Sequence, residues 1–195
     1  MVILLIVLGV SLGCKSSGGG VFAPADETSE AAKLIIDANT ELTKIKELYR
    51  ENEGDADKEG KRLQLRKALE ADDTEQVRKV TGEIIQLIDE GTEHGRTAVD
   101  KIQQARDMRI NSDYQEYLRL KEEALKKQLE AFAKYRAAAQ SLRANYDPKN
   151  AEVRDKVKGI FEEQSNSYRE IMEKARDNSS QANELYKDVV QRRAK

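Results

Sequence analysis

The sequence predicts an all-α protein, an antiparallel up-down-up-down four-helix bundle of long amphipathic helices. Three observations carry that prediction. Charged residues make up 36% of the chain and aromatic residues 5%, with no Trp and only two Pro, the composition of long helices. From Asp26 onward, apolar residues recur at spacings of three and four, the period of one helix face. The breaks between periodic stretches are only a few residues long, which makes consecutive helices antiparallel neighbours.

The first helical segment carries Ala31, Ile35, Ala38, Leu42, Ile45 and Tyr49 on one face. Asp26, Glu27 and Glu30 suit the positive end of its dipole. Residues 51–60 read ENEGDADKEG, with two Gly and no large apolar residue. They are a break, a kink or an exposed polar turn. Helix resumes over 61–71, with Leu63, Leu65, Ala68 and Leu69 as its apolar residues.

The second segment starts after Asp73, which has Gln76 at the capping-box spacing. Val77, Val80, Ile84, Leu87 and Ile88 form its stripe, continued by Ala98, Val99, Ile102 and Ala105. Between them the stripe thins to Gly91 and Gly95, which either admit a neighbouring helix at close approach or mark a bend. Ser112 and Gln115 repeat the capping-box spacing and place the start of a third helix at Asp113. Its stripe is Tyr114, Leu118, Leu125, Phe132, Tyr135, Ala139, Leu142 and Tyr146.

Asp147-Pro148 ends that helix and opens the fourth, since Pro is favoured at the first helical position. Val153, Val157, Ile160, Tyr168, Ile171, Ala175, Ala182, Leu185 and Val189 share its inner face, interrupted by Gln164 and Asn178. Cations at Arg192, Arg193 and Lys195 suit its negative end. The four segments are roughly 35 to 45 residues each, or about 50 to 65 Å long. A three-helix bundle with the second and third segments continuous is the structural alternative.

Ahead of the helices, residues 2–12 read VILLIVLGVSL. That run is shorter than the about 20 residues a membrane-crossing helix needs and has the length of a signal-peptide core. It ends in Ser11-Leu12-Gly13-Cys14. This end resembles the lipobox of bacterial lipoproteins, in which a small residue precedes an invariant Cys. Ser11 stands where that family usually carries Leu, Val or Ile. The resemblance implies cleavage after Gly13 and lipid attachment at Cys14, which tethers the protein to a membrane of the cell envelope, facing the periplasm or the cell exterior. Lys15-Ser16-Ser17-Gly18-Gly19-Gly20 follows, and Ser/Gly sequence behaves as a flexible tether. The chain thus divides into a leader at 1–13, a lipidated Cys and tether at 14–25, and a helical body at 26–195.

The residues give little chemistry to build on. Lys plus Arg total 34 against 36 for Asp plus Glu, a net charge of -2 with both signs interspersed, which disfavours nucleic acid as a partner. One Cys cannot make an internal disulfide or a thiolate metal site. His94, the single histidine, has Glu90 and Glu93 near it; it reads as a solvated residue, with a shared metal as the alternative. Di-iron bundles need Glu-x-x-His pairs from two helices, and position 91 is Gly. No catalytic residue, cofactor or metal is therefore expected.

Tyr114, Tyr117, Tyr135 and Tyr146 belong to the core or its edge, although Tyr also suits recognition surfaces. Gln164 and Asn178 either fix helix register or line a ligand cavity. The expected function is a non-enzymatic, membrane-anchored module that contacts a protein partner or serves envelope structure. The alternative is a lipid-anchored binding protein with a small-molecule or metal site between its helices.

Overall fold

The structure is a computed structural model that describes residues 27–193, with side chains described except at 169, 176, 179 and 186–193. The apolar run at 2–12, Cys14 and the Ser/Gly stretch lie outside the described residues, as does the side chain of Val189.

The described residues are all-helical: α1 Thr28–Glu53, α2 Lys61–Glu70, α3 Thr74–Arg106, α4 Ser112–Asn145 and α5 Ala151–Arg193. The apolar stripes fold inward as their spacing requires. Ala31, Ile35, Ala38, Leu42 and Ile45 of α1 are buried against Val77, Val80, Ile84, Ile88 and Ile102 of α3 and Leu118, Leu125 and Leu142 of α4, in one continuous core. On α5 the stripe is displaced by one position near its start. Ile160 is 36% exposed, and Phe161 packs against the core in its place.

Residue pairs set the direction of each neighbour. Along α1 and α3 they join Glu41 to His94 and Asp37 to Lys101, and Glu27 to Arg109 just beyond α3, so the two helices run oppositely. Lys61 of α2 meets Glu83 of α3, while their facing ends are joined by a three-residue turn. Gln103 of α3 donates to Glu122 of α4 and Arg136 of α4 donates to Asp89 of α3. Lys121 of α4 donates to Asn183 of α5, and Tyr135 stacks at a tilt on Tyr168. Backbones approach closely between α1 and α3, α2 and α3, α3 and α4, and α4 and α5, and α1 also meets α2. Among the described residues, neither the α1 nor the α2 backbone comes close to α5.

The segment 51–60 resolves into a closed loop rather than a kink. Gly54 and Glu59 form an isolated bridge, so the chain leaves α1 and re-enters helix beside the point it left. α1 and α2 therefore lie in succession along α3, as one interrupted column. Asp55 holds the loop: its carboxylate accepts from the backbone of Asp57 and Lys58 and pairs with Arg50. Both glycines are required by geometry. Gly54 has φ +84°, and a Cβ at Gly60 would sit 2.2 Å from the backbone of Glu53 and Gly54.

Two helix starts differ from the sequence reading. Asn111, not Ser112, caps α4, its side chain accepting from the Tyr114 N–H. Ser112 is already helical, and Gln115 reaches back to the Arg106 and Met108 carbonyls instead. Asn150 accepts from the Val153 N–H at the start of α5, which leaves Pro148 in the preceding turn. In both cases an Asn just upstream supplied the acceptor an N-cap needs. Asp73 caps α3 as its spacing indicates, accepting from Gln76 at 3.0 Å.

Candidate functional site

A recess opens between α2 and α5. It exists because α2 is short and its backbone stands away from α5, so only side chains span the gap; Lys158 donates across it to the Leu69 carbonyl at 3.2 Å. The recess has a volume of about 690 Å³, and Leu63, Leu65, Leu69, Tyr135 and Phe161 supply its apolar walls. Arg62 and Arg66, one turn apart on α2, face it from one side, and Glu162, Ser165 and Asn166 face it from α5.

Arg62 is held in place by Glu53, its Nη1 lying 2.8 and 3.0 Å from the two carboxylate oxygens. That carboxylate raises the Arg62 pKa further, against the opposing effect of burial. Among the described residues Arg66 reaches only Glu70, at 3.7 Å, and its side chain is 69% exposed. The Ser165 hydroxyl is buried without a hydrogen-bond partner among the described residues. Burial drives the Tyr135 pKa up to about 12, so the wall it forms stays neutral. A second, smaller space of about 30 Å³ touches Tyr49, Asn52, Gly91, Phe132 and Tyr168, room for about one water.

A second cluster lies between α4 and α5. Lys121 is 1% exposed, its Nζ donates to Asn183 Oδ1 at 2.7 Å, and it lies 5.6 Å from the Tyr117 ring centre. Tyr117 in turn stacks on Tyr114 at 5.8 Å. Burial lowers the Lys121 pKa to about 8. Nothing in the sequence separates Lys121 from the solvated lysines beside it, because its burial comes from Tyr117 and from α5, 62 residues away.

The sequence-predicted candidates are dispersed. Cys14 lies outside the described residues. His94 Nδ1 is 2.6 Å from Glu41 Oε2, so its partner belongs to α1 and is neither Glu90 nor Glu93; Glu90 accepts from Gln86 instead. No group of three or more His, Cys, Asp or Glu among the described residues is arranged to hold a metal. Gly91 and Gly95 lie within continuous α3 helix, and a neighbouring side chain approaches closely at Gly95, whereas a Cβ at Gly91 would make ordinary contacts. A Cβ at Gly95 would meet Leu129 Cδ2 at 2.5 Å, and one at Gly91 would touch Phe132 and Leu48.

Gln164 and Asn178 are half-buried, and neither lines the two spaces above. Tyr117, Tyr135 and Tyr146 are buried in the core, with Tyr114 packed against it. The cleft residues Arg62, Arg66 and Ser165 carried no signal in the sequence. Their meeting depends on the loop at 54–60 and on α5 crossing beside α2. No family model, curated protein or solved structure matches the chain.

Proposed function

We propose that this chain is a cell-envelope lipoprotein, anchored through lipid on Cys14, whose helical body is a non-enzymatic contact module for a protein partner or for envelope structure. The single observation that carries the reading is the end of the apolar run, Ser11-Leu12-Gly13-Cys14, followed directly by Ser/Gly sequence. Behind it, α1 starts at Thr28, close enough for residues 14–25 to serve as the tether. Among the described residues, no helix is long and apolar enough to cross a membrane. In this reading the body is an up-down-up-down four-helix bundle, with α1 and α2 as one column and α3, α4 and α5 as the other three. It presents outward-facing charge and Ile36, 54% exposed on α1.

Growth of the producing cells with radiolabelled palmitate tests the anchor. The wild-type protein takes up label and sediments with membranes, whereas Cys14→Ala does neither. Equal labelling of the two, or none in the wild type, overturns the lipoprotein reading.

The alternative reading, a small-molecule site between helices, is favoured by one observation. The recess between α2 and α5 has the 300–1,000 Å³ size of ligand sites and their mixture of apolar walls with a few polar groups.

A further inference from the structure

We propose that the cleft between α2 and α5 binds an organic monoanion with a compact apolar body, its head group held at Arg62 and Arg66; the inference rests on the small-molecule reading of that cleft. The two guanidinium groups sit one helical turn apart on the same wall. Glu53 binds one edge of Arg62 through Nη1, leaving Nε and Nη2 without an acceptor among the described residues. Among the described residues, Arg66 has no partner within hydrogen-bond distance. A planar guanidinium presents paired N–H groups that match the two oxygens of a carboxylate, so this wall is built to take an anionic head.

The rest of the cleft sets the body and the charge. Leu69 and Phe161 give apolar faces, and the volume of about 690 Å³ accepts one ring system or a short chain. Across from the arginines, Ser165 lines the wall, its hydroxyl buried and without a partner among the described residues. Glu162 stands on the same far side. Its charge turns the head toward α2, and together with Glu53, which lines the cleft beside Arg62, it disfavours a second negative group, which is why a monoanion fits and a dianion does not.

Calorimetric titration of the full chain in detergent micelles, with empty micelles as baseline, tests the proposal. Naphthalene-2-carboxylate and octanoate separate a ring from an acyl chain, and naphthalene-2-carboxamide removes only the charge. At least one carboxylate is expected to bind one-to-one with Kd below about 1 mM. The carboxamide should bind about tenfold more weakly or not at all, and Arg66→Gln should weaken the carboxylate by a similar factor. Ser165→Phe should abolish binding by filling the cleft, with helicity unchanged by circular dichroism.

If neither carboxylate binds, the small-molecule reading and the proposal both fall. Equal binding of acid and amide keeps the site and overturns the anion class. Undiminished binding to a folded Ser165→Phe places the ligand elsewhere and overturns the site. Should that variant not fold, the acid–amide comparison and Arg66→Gln decide alone.

Discussion

Lys121 is the residue whose chemistry departs furthest from its sequence context. A lysine loses hydration when buried, and the charged form is the one disfavoured. Here the amide oxygen of Asn183 and the Tyr117 ring replace part of that hydration, yet the pKa still falls to about 8. Because the folded value lies below that of the unfolded chain, the unfolded state binds more protons between about pH 8 and 10.5, and stability rises with pH across that window. Below it, both states are protonated and the full cost of the buried charge is present. Between pH 7 and 9.5 the expected gain is about 2 kcal/mol. Urea unfolding at the two pH values measures it in the wild type, and Lys121→Met should abolish the difference while raising stability at pH 7. A pH dependence that survives in Lys121→Met assigns it to other groups.

The α1–α2 loop shows how backbone alone decides an element. Its two glycines let the chain leave and rejoin one column, and a Cβ at Gly60 has only backbone to push against. Gly60→Ala is expected to destabilise by more than about 2 kcal/mol, since neither side of the contact can yield. Gly159 makes the opposite case: it is exposed within α5, and a Cβ there meets nothing within 4 Å. Gly159→Ala should stabilise by up to about 1 kcal/mol through helix propensity. Paired chemical denaturation checks both, and equal effects would remove the geometric argument. The contrast also marks what the sequence makes legible. Periodicity identifies the buried stripes, because a repeat of three and four aligns on a helix whatever it packs against; Ile35, Ile84 and Leu142 are buried accordingly. The capping of α3 by Asp73 is equally local. Lys121 and the cleft arginines were not legible, because their surroundings come from α5, which has no fixed spacing from them along the chain. Glu41 hides in the same way from His94, 53 residues away.

At the scale of the whole molecule, the helices do not share support equally. α3 lies against α1, α2 and α4, and α4 lies against α3 and α5, whereas α5 makes its close backbone contact with α4 alone. Near its start, α5 is also tied to the α2–α3 turn: Lys158 reaches the Leu69 carbonyl and Asp72, Arg154 approaches Asp72, and the Tyr146 hydroxyl donates to Asp72 at 2.6 Å. Asp72 holds that position in a left-handed conformation, φ 51°, which a non-glycine residue adopts at some cost. Farther along, Ala175 and Ala182 are buried, and Asn183 accepts from Lys121 of α4, the helix whose backbone approaches α5 closely. Protection from hydrogen exchange follows the free energy of the smallest opening that frees an amide. Opening the second half of α5 breaks one interface, while opening α3 breaks three. Native-state exchange should therefore reach its highest free energies in α3 and α4, around Ile84, Ile88, Leu125 and Ala139. Amides of residues 175–185 should open about 2 kcal/mol or more below that ceiling. If they are as protected as α4 in the isolated chain, α5 unfolds only with the whole molecule, and its support must extend beyond α4. A partner that raises protection at 175–185 without changing α3 would mark the face of α5 as its contact.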